Sequence, residues 1–164
     1  MFANARKQAM EVGGWTSIKL NGNWVYLYRA VDSQGHTIDF LLRARRDAGA
    51  AKAFFRKAFK ENGRPDKVTG DKSGSNKVAL DSFNKDIPEQ ERIEIRQINY
   101  LNNIVEQDHR FIKKRARLTL GFKSFQSAKA TISGIENIRM IQKGQILGQT
   151  ACQSAFKNFA ALMA

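Results

Sequence analysis

Two acidic residues stand where they could hold a divalent metal ion. Asp71 directly follows residues 67–69, which we predict to form a short buried strand, and 34 residues separate it from Glu106 on a predicted helix. Carboxylate oxygens are the ligands that Mg²⁺ prefers, and two metal ions held in this way can promote phosphoryl transfer. Lys113 lies two helical turns beyond Glu106 on the same face, where it could hold a DNA phosphate beside the metal.

Each of these residues also has an ordinary structural explanation. Asp71 could cap the helix that follows the strand, because a carboxylate accepts hydrogen bonds from free backbone N–H groups. Glu106 and Arg110 have the spacing of a surface ion pair, which contributes only a few tenths of a kcal/mol. His109 lies one turn from Glu106 and could be a plain surface residue or touch DNA. The types and spacing of these residues therefore fit a structural role as well as a role in binding metal or DNA.

The charge of the chain points to a polyanionic partner. Lys and Arg number 28 against 15 Asp and Glu, which gives a net charge of +13. The excess is concentrated in residues 43–67 and 101–143, each with nine cations and three anions. Such a basic patch is typical of nucleic-acid binding. In the second stretch we predict that DNA is contacted by Arg110, Lys113, Lys114, Arg115 and Arg117.

Composition excludes several other classes of protein. Hydrophobic residues make up 42% of the 164 residues, which is enough for one domain with its own core. Cys152 is the single cysteine, so there is no internal disulfide and no zinc site built from cysteines, and two histidines exclude a histidine-rich metal site. No apolar run is long enough to span a bilayer. We therefore expect a cytoplasmic protein that does not bind membranes.

The elements around these residues predict an α/β fold. Turn signals at Asn21-Gly22 and Gln34-Gly35 divide residues 15–42 into three antiparallel strands. Asp47 can cap a helix that Gly63 and Pro65 end. Further strands are predicted at residues 67–69 and 93–97, and further helices at 76–84, 101–115 and 124–143. This order is that of the ribonuclease-H-like fold, a mixed five-stranded sheet flanked by helices.

Four motifs resemble one family. Residues 100–113, with the sequence YLNNIVEQDHRFIK, resemble the third-carboxylate motif of bacterial insertion-sequence DDE transposases, and most closely the group known for mobilising antibiotic-resistance genes. Residues 68–72 resemble that group's second-carboxylate motif, and residues 24–32 its second strand. Residues 120–125 and 134–145 resemble its C-terminal end. The resemblance divides the chain into an unmatched segment, 1–14, a catalytic core, 15–145, and a tail, 146–164.

The resemblance implies a function and a set of roles. Family members cleave and join DNA strands with Mg²⁺, for which Mn²⁺ can substitute. Asp71 and Glu106 would be catalytic metal ligands. The partners would be transposon ends and target DNA, and the protein would act as a homo-oligomer or paired with an intact transposase.

One expected ligand is absent. In the family an Asp-Glu-Thr run supplies the first carboxylate, and here Thr16 matches the Thr, Trp15 the Glu and Gly14 the Asp. Glycine has no side chain that could bind a metal. Asp32 is a weak substitute candidate, because the hairpin at Asn21-Gly22 is expected to bring the low thirties opposite residues 12–14.

Three functions therefore stay open. Few residues precede Gly14, too few for the helix-turn-helix that usually comes before the core, so we expect an N-terminally truncated transposase that is impaired or inactive alone. The alternative is a non-catalytic remnant that binds DNA or dimerises. An unrelated basic RNA-binding protein is a third option, against which the four motifs argue.

Overall fold

The computed structural model describes residues 9–13, 15–98, 110–114, 122 and 124–145. Residues 110–114 are helical, and Glu89–Glu91 form a single 3-10 turn. The strands are β1 (Met10–Val12), β2 (Thr16–Leu20), β3 (Asn23–Val31), β4 (Thr37–Arg43), β5 (Lys67–Gly70) and β6 (Glu94–Gln97). The helices are α1 (Ala48–Asn62), α2 (Gly74–Asn84) and α3 (Phe125–Gln142).

The strands form one mixed sheet. β3 pairs antiparallel with β1, β2 and β4, whereas β1, β5 and β6 run parallel to each other. Because β4 occupies one edge of β3, β1 and β2 lie in succession along its other edge. They act as one strand that is interrupted between Val12 and Thr16. Within the described residues the sheet therefore has six strand segments, and the first of them lies within residues 1–14.

Local sequence signals explain several of these elements. Asn21 and Gly22 turn the chain from β2 into β3, with φ angles of 45° and 85° that suit this pair of residues. The Asp47 carboxylate accepts a hydrogen bond from the Ala50 N–H at 2.7 Å and so caps α1. α1 ends at Gly63, whose φ is 83°. The predicted hairpin and the predicted bounds of α1 are confirmed.

Helices cover both faces of the sheet. Side chains along β3 alternate, so Tyr28 and Ala30 pack under α1, while Val25 and Leu27 face α3. The first core is built around the phenylalanines of α1, and the second around Ile132 of α3. This arrangement fixes β1 and β5 at the centre of the sheet, where their carboxyl ends lie side by side.

Candidate functional site

The candidate site lies where β1 and β5 end. The two strands are parallel, and Val12 pairs with Gly70. The chain therefore leaves both strands at the same edge of the sheet, which is where α/β folds commonly place their ligands. Asp71 is the first residue after β5, three residues before α2 begins. Gly14 and Glu106 lie outside the described residues.

The carboxylate of Asp71 is held from one side only. Its Oδ1 accepts a hydrogen bond from the Ser73 N–H at 3.2 Å and another from the Asn76 amide Nδ2 at 3.3 Å. Both donors belong to the segment that begins α2. Its Oδ2 makes no hydrogen bond with any residue in the described part of the chain, and the side chain is half-buried. One oxygen is thus positioned by the fold and the other is available to a ligand.

A small cavity of about 10 Å³ adjoins Asp71 between the sheet and α2. A cavity of this size accommodates about one water molecule. Asn76 lines it, is only 4% exposed, and has an Oδ1 atom without a hydrogen-bond partner. Asn76 was not predicted from the sequence, because a single asparagine on a helix carries no signal until the fold brings it to Asp71. The polar lining of the cavity comprises Asp71, Asn76, Lys77, Arg96 and Gln97.

Comparison with known proteins identifies the family. Residues 14–145 match the DDE domain of IS240-type transposases. The chain belongs to the DDE domain family of insertion-sequence transposases. This match confirms the family that the four sequence motifs indicated.

Two staphylococcal transposases are similar to this DDE domain. The chain is 41% identical over 142 residues to the transposase for insertion sequence-like element IS431mec of Staphylococcus aureus, and equally to the transposase for element IS257 in transposon Tn4003. The alignment covers 84% of this chain and 62% of each relative. The chain thus spans about three fifths of the length of the curated relatives it matches.

The fold is that of retroviral integrase cores. The HTLV-2 integrase catalytic core domain, solved in complex with magnesium in a dimeric form, superimposes with a TM-score of 0.62 at 13% identity. The alignment covers 94% of this chain and 96% of that one. At this identity the likeness concerns the fold, and it confirms the predicted ribonuclease-H-like architecture.

The described part of the DDE domain supplies one of the expected metal ligands. Among those residues, no three His, Cys, Asp or Glu side chains lie close enough together to hold a metal ion. Asp71 offers a hard oxygen that suits Mg²⁺. One carboxylate by itself does not fit two metal ions.

Asp32 does not approach this edge of the sheet. Its carboxylate accepts hydrogen bonds from the backbone N–H groups of Gln34 and His36 at 2.9 and 2.8 Å and lies 3.1 Å from His36 Nδ1. It therefore holds the turn between β3 and β4. Strand β3 runs antiparallel to β1, and continuing their register sets Asp32 level with Met10, the first residue of β1, whereas Asp71 lies beyond the last residue of β1.

The expected pairing of the low thirties with residues 12–14 holds at residue 12, which lies opposite Ala30. Continuing the β2–β3 register, in which Thr16 faces Leu27, would place Val12 opposite Val31. The structure places Val12 opposite Ala30 and Glu11 opposite Val31. The interruption between β1 and β2 therefore shifts the register by one residue, and its continuation sets Asp32 level with Met10.

Two other carboxylates of the DDE domain are buried and engaged. Asp39 forms an ion pair with Lys57; burial raises the pKa of Asp39, and the Lys57 ammonium group opposes that rise. Glu136 pairs with Arg29 in the interior. Asp39 also leaves its Oδ2 without a hydrogen-bond partner, but Asp39 is 5% exposed and paired with Lys57, whereas Asp71 is half-buried and forms no ion pair with a described residue.

Three of the five predicted DNA-contacting cations are described. Arg110, Lys113 and Lys114 are exposed on helical residues 110–114, while Ile112 between them is fully buried. This helix therefore presents its basic side to solvent. Arg115 and Arg117 lie outside the described residues.

In the part of the chain that the structure describes, no helix is long and apolar enough to cross a membrane.

Proposed function

We propose that this chain is the catalytic core of a DNA transposase that cleaves and transfers DNA strands with a divalent metal. The observation that carries the proposal is the half-engaged carboxylate of Asp71 at the common end of β1 and β5. Membership of the DDE family supports the chemistry. The DNA would be transposon ends and target, met in the bacterial cytoplasm.

Each residue has a defined role in this proposal. Asp71 and Glu106 would hold Mg²⁺, or Mn²⁺ in its place, which would supply Lewis-acid activation of the phosphate and of the attacking water. Ser73 and Asn76 fix the Asp71 carboxylate so that Oδ2 faces the ligand. Phosphates of the DNA are bound by Arg110, Lys113, Lys114, Arg115 and Arg117.

Gly14 limits the activity that we propose. It stands where the family has its first carboxylate, and a glycine adds no ligand. Asp32 is committed to the β3–β4 turn and brings no replacement. We therefore expect weak metal binding and activity that is absent or strongly reduced.

Nicking of supercoiled DNA in Mn²⁺ tests the proposal. The purified chain is compared with Gly14→Asp, with Gly14→Asp/Asp71→Asn and with Gly14→Asp/Asp81→Asn. Asp81 is a matched control because it is an exposed carboxylate on α2. We expect Gly14→Asp to nick DNA, the Asp81 control to match it, and the Asp71 variant to be silent. Silence of all four proteins, or nicking that survives Asp71→Asn, would refute the catalytic role.

A non-catalytic DNA-binding or dimerising function is the second candidate. Gly14 and the net charge of +13 favour it, because charge-driven binding needs no metal. The HTLV-2 integrase core was solved as a dimer, and a similar pairing of this chain with itself or with an intact transposase belongs to this proposal. DNA binding that is unchanged by EDTA, combined with silence in the nicking assay, would support it.

A further inference from the structure

Aromatic and basic side chains share one end of a sheet face. Directly opposite residues of neighbouring strands point to the same side, and β2, β3 and β4 pair Lys19 with Trp24 and Tyr26 with both Ser17 and Arg43. The loop into α1 adds Arg45 and Arg46, and Trp15 lies just before β2. We call this set the aromatic–basic face; it comprises Trp15, Lys19, Trp24, Tyr26, Arg43, Arg45 and Arg46.

Helix α1 leaves this end of the sheet uncovered. Tyr28 is fully buried and stacks on Phe54 of α1, with ring centroids 5.7 Å apart. Two residues back along β3, Tyr26 is half-buried, and two further back Trp24 is 55% exposed. The opposite side of the same strands is buried against α3. The ring of Trp24 therefore belongs to the surface, while that of Tyr26 lies between this surface and the first core.

The cations of this face are held against the rings. The guanidinium carbon of Arg46 lies 5.0 Å from the ring centre of Trp15 and 5.8 Å from that of Tyr26. Lys19 Nζ lies 5.9 Å from the ring centre of Trp24. Cation–π contacts of this kind restrict a flexible side chain before any ligand arrives. The positive groups are thus preorganised beside exposed aromatic surface.

The positive charge of the face is not neutralised locally. Arg43, Arg45 and Arg46 are exposed, and none forms an ion pair with a described residue. Asp47, the nearest acid along the chain, uses its carboxylate to cap α1. The face therefore favours an anionic partner from outside the chain.

We infer that the aromatic–basic face binds unpaired DNA. Arginines would hold successive phosphates while a base stacks on Trp24, the combination that single-strand binding proteins use. Bases inside a duplex are already stacked and do not offer their faces. The surface begins at Trp15, three residues after the Val12 that pairs with Gly70, so the Trp15 end of a bound strand would be the end nearest to Asp71. The identity of the polyanion as DNA rests on the proposed function.

Intrinsic fluorescence reports directly on this face, because Trp15 and Trp24 are the only tryptophans of the chain. The full chain is titrated in EDTA with an oligothymidylate of about 16 nucleotides, which is the upper site size of one binding fold, and with a duplex of equal length. We expect the single strand to quench fluorescence strongly and the duplex to quench it weakly. The Trp15→Phe variant retains Trp24 alone and is expected to keep the quenching. Equal quenching by the duplex, or none by the single strand, would overturn the inference.

Two variants that each lose one positive charge separate binding by the aromatic–basic face from binding by the overall positive charge of the chain. Arg46→Gln and Arg56→Gln each remove one exposed cation, but Arg56 lies on α1 away from the aromatic–basic face. We expect Arg46→Gln to weaken single-strand binding about tenfold, because it removes a phosphate contact held by two rings, and Arg56→Gln to weaken it less than about twofold. Trp24→Ala should lose affinity that Trp24→Phe retains. Equal losses in the two arginine variants would contradict the inference.

These measurements fail independently of the catalytic proposal. Binding is measured without metal and does not involve Asp71. Quenching without nicking by Gly14→Asp would leave this inference standing and refute catalysis. Nicking without quenching would refute the inference and leave the catalytic core intact.

Discussion

Asp71 and Glu136 are carboxylates in opposite environments of one domain. Glu136 is 0% exposed, and both of its oxygens face Arg29: Oε1 lies 2.6 Å from Nε, and Oε2 accepts from Nη2 at 3.0 Å. Asp71 is half-buried, and its two hydrogen bonds fall on Oδ1 alone. The charge of Glu136 is compensated by Arg29 within the core, whereas Asp71 keeps Oδ2 available for a ligand.

The surroundings of Glu136 show what its pairing achieves. Arg29 also donates to the Thr37 hydroxyl at 3.1 Å, and Gln145 bonds both the N–H and the carbonyl of Thr37, at 2.8 and 2.9 Å. This cluster joins β3 and β4 to the end of α3. The motif of residues 134–145 thus holds a helix on the sheet. A buried carboxylate paired with a cation is structural, and a half-buried carboxylate with one unbonded oxygen at the common end of β1 and β5 is suited to metal chemistry.

The largest effect is expected from breaking the buried pair. Glu136→Gln would leave the Arg29 guanidinium uncompensated in the core, and loss of one partner of a buried pair costs about 3–5 kcal/mol. We expect urea unfolding to show a fall of that size in the free energy of unfolding. A loss below about 1 kcal/mol, the range of exposed pairs, would show that the pair is not desolvated.

A double variant separates charge from packing. Arg29→Met/Glu136→Leu removes both charges and keeps apolar volume, so most of the lost stability should return. If the double variant is as unstable as Glu136→Gln, the hydrogen bond from Arg29 to the Thr37 hydroxyl, which the double variant also lacks, carries the stability instead.

The two regions also differ in what the sequence could predict. The turn at Asn21-Gly22 and the Asp47 cap arise from contacts a few residues apart, so local signals located them. Arg29 and Glu136 are 107 residues apart in sequence, and only the packing of α3 on the sheet brings them together. The position of Asp71 after β5 was predictable from a strand pattern. Its partner Asn76 was not predictable, and neither was the one-residue register shift between β1 and β2, because no local pattern signals either of them.

Tyr28 extends the comparison to a neutral buried group. Its hydroxyl is buried without a hydrogen-bond partner. Burial chiefly, and the Asp47 carboxylate in addition, raise the pKa of Tyr28 from 10.0 to about 12, although Arg43 and Arg46 oppose the rise. The folded chain therefore holds this proton more tightly than the unfolded chain. The resulting stability is complete below pH 10 and is lost as the pH rises through about 12.

Alkaline unfolding tests this second, smaller effect. Between pH 8 and 12 we expect the wild-type chain to lose on the order of 2–3 kcal/mol more than Tyr28→Phe, which lacks the ionisable group and keeps the stack on Phe54. Tyr26→Phe is the matched control on the same strand, since its ring is only half-buried. Parallel losses in wild-type and Tyr28→Phe would show that other groups cause the alkaline instability.

The smallest effect on stability is expected at Asp71. Asp71→Asn makes the same carboxylate-to-amide change as Glu136→Gln, but its Oδ1 can still accept from Ser73 and Asn76. No buried cation loses its partner, so the free energy of unfolding should change by less than about 0.5 kcal/mol. In the Gly14→Asp background the same substitution should abolish Mn²⁺-dependent nicking. A stability loss at Asp71 comparable to that at Glu136 would mean that Asp71 also serves the fold, and loss of nicking would then say nothing about metal binding.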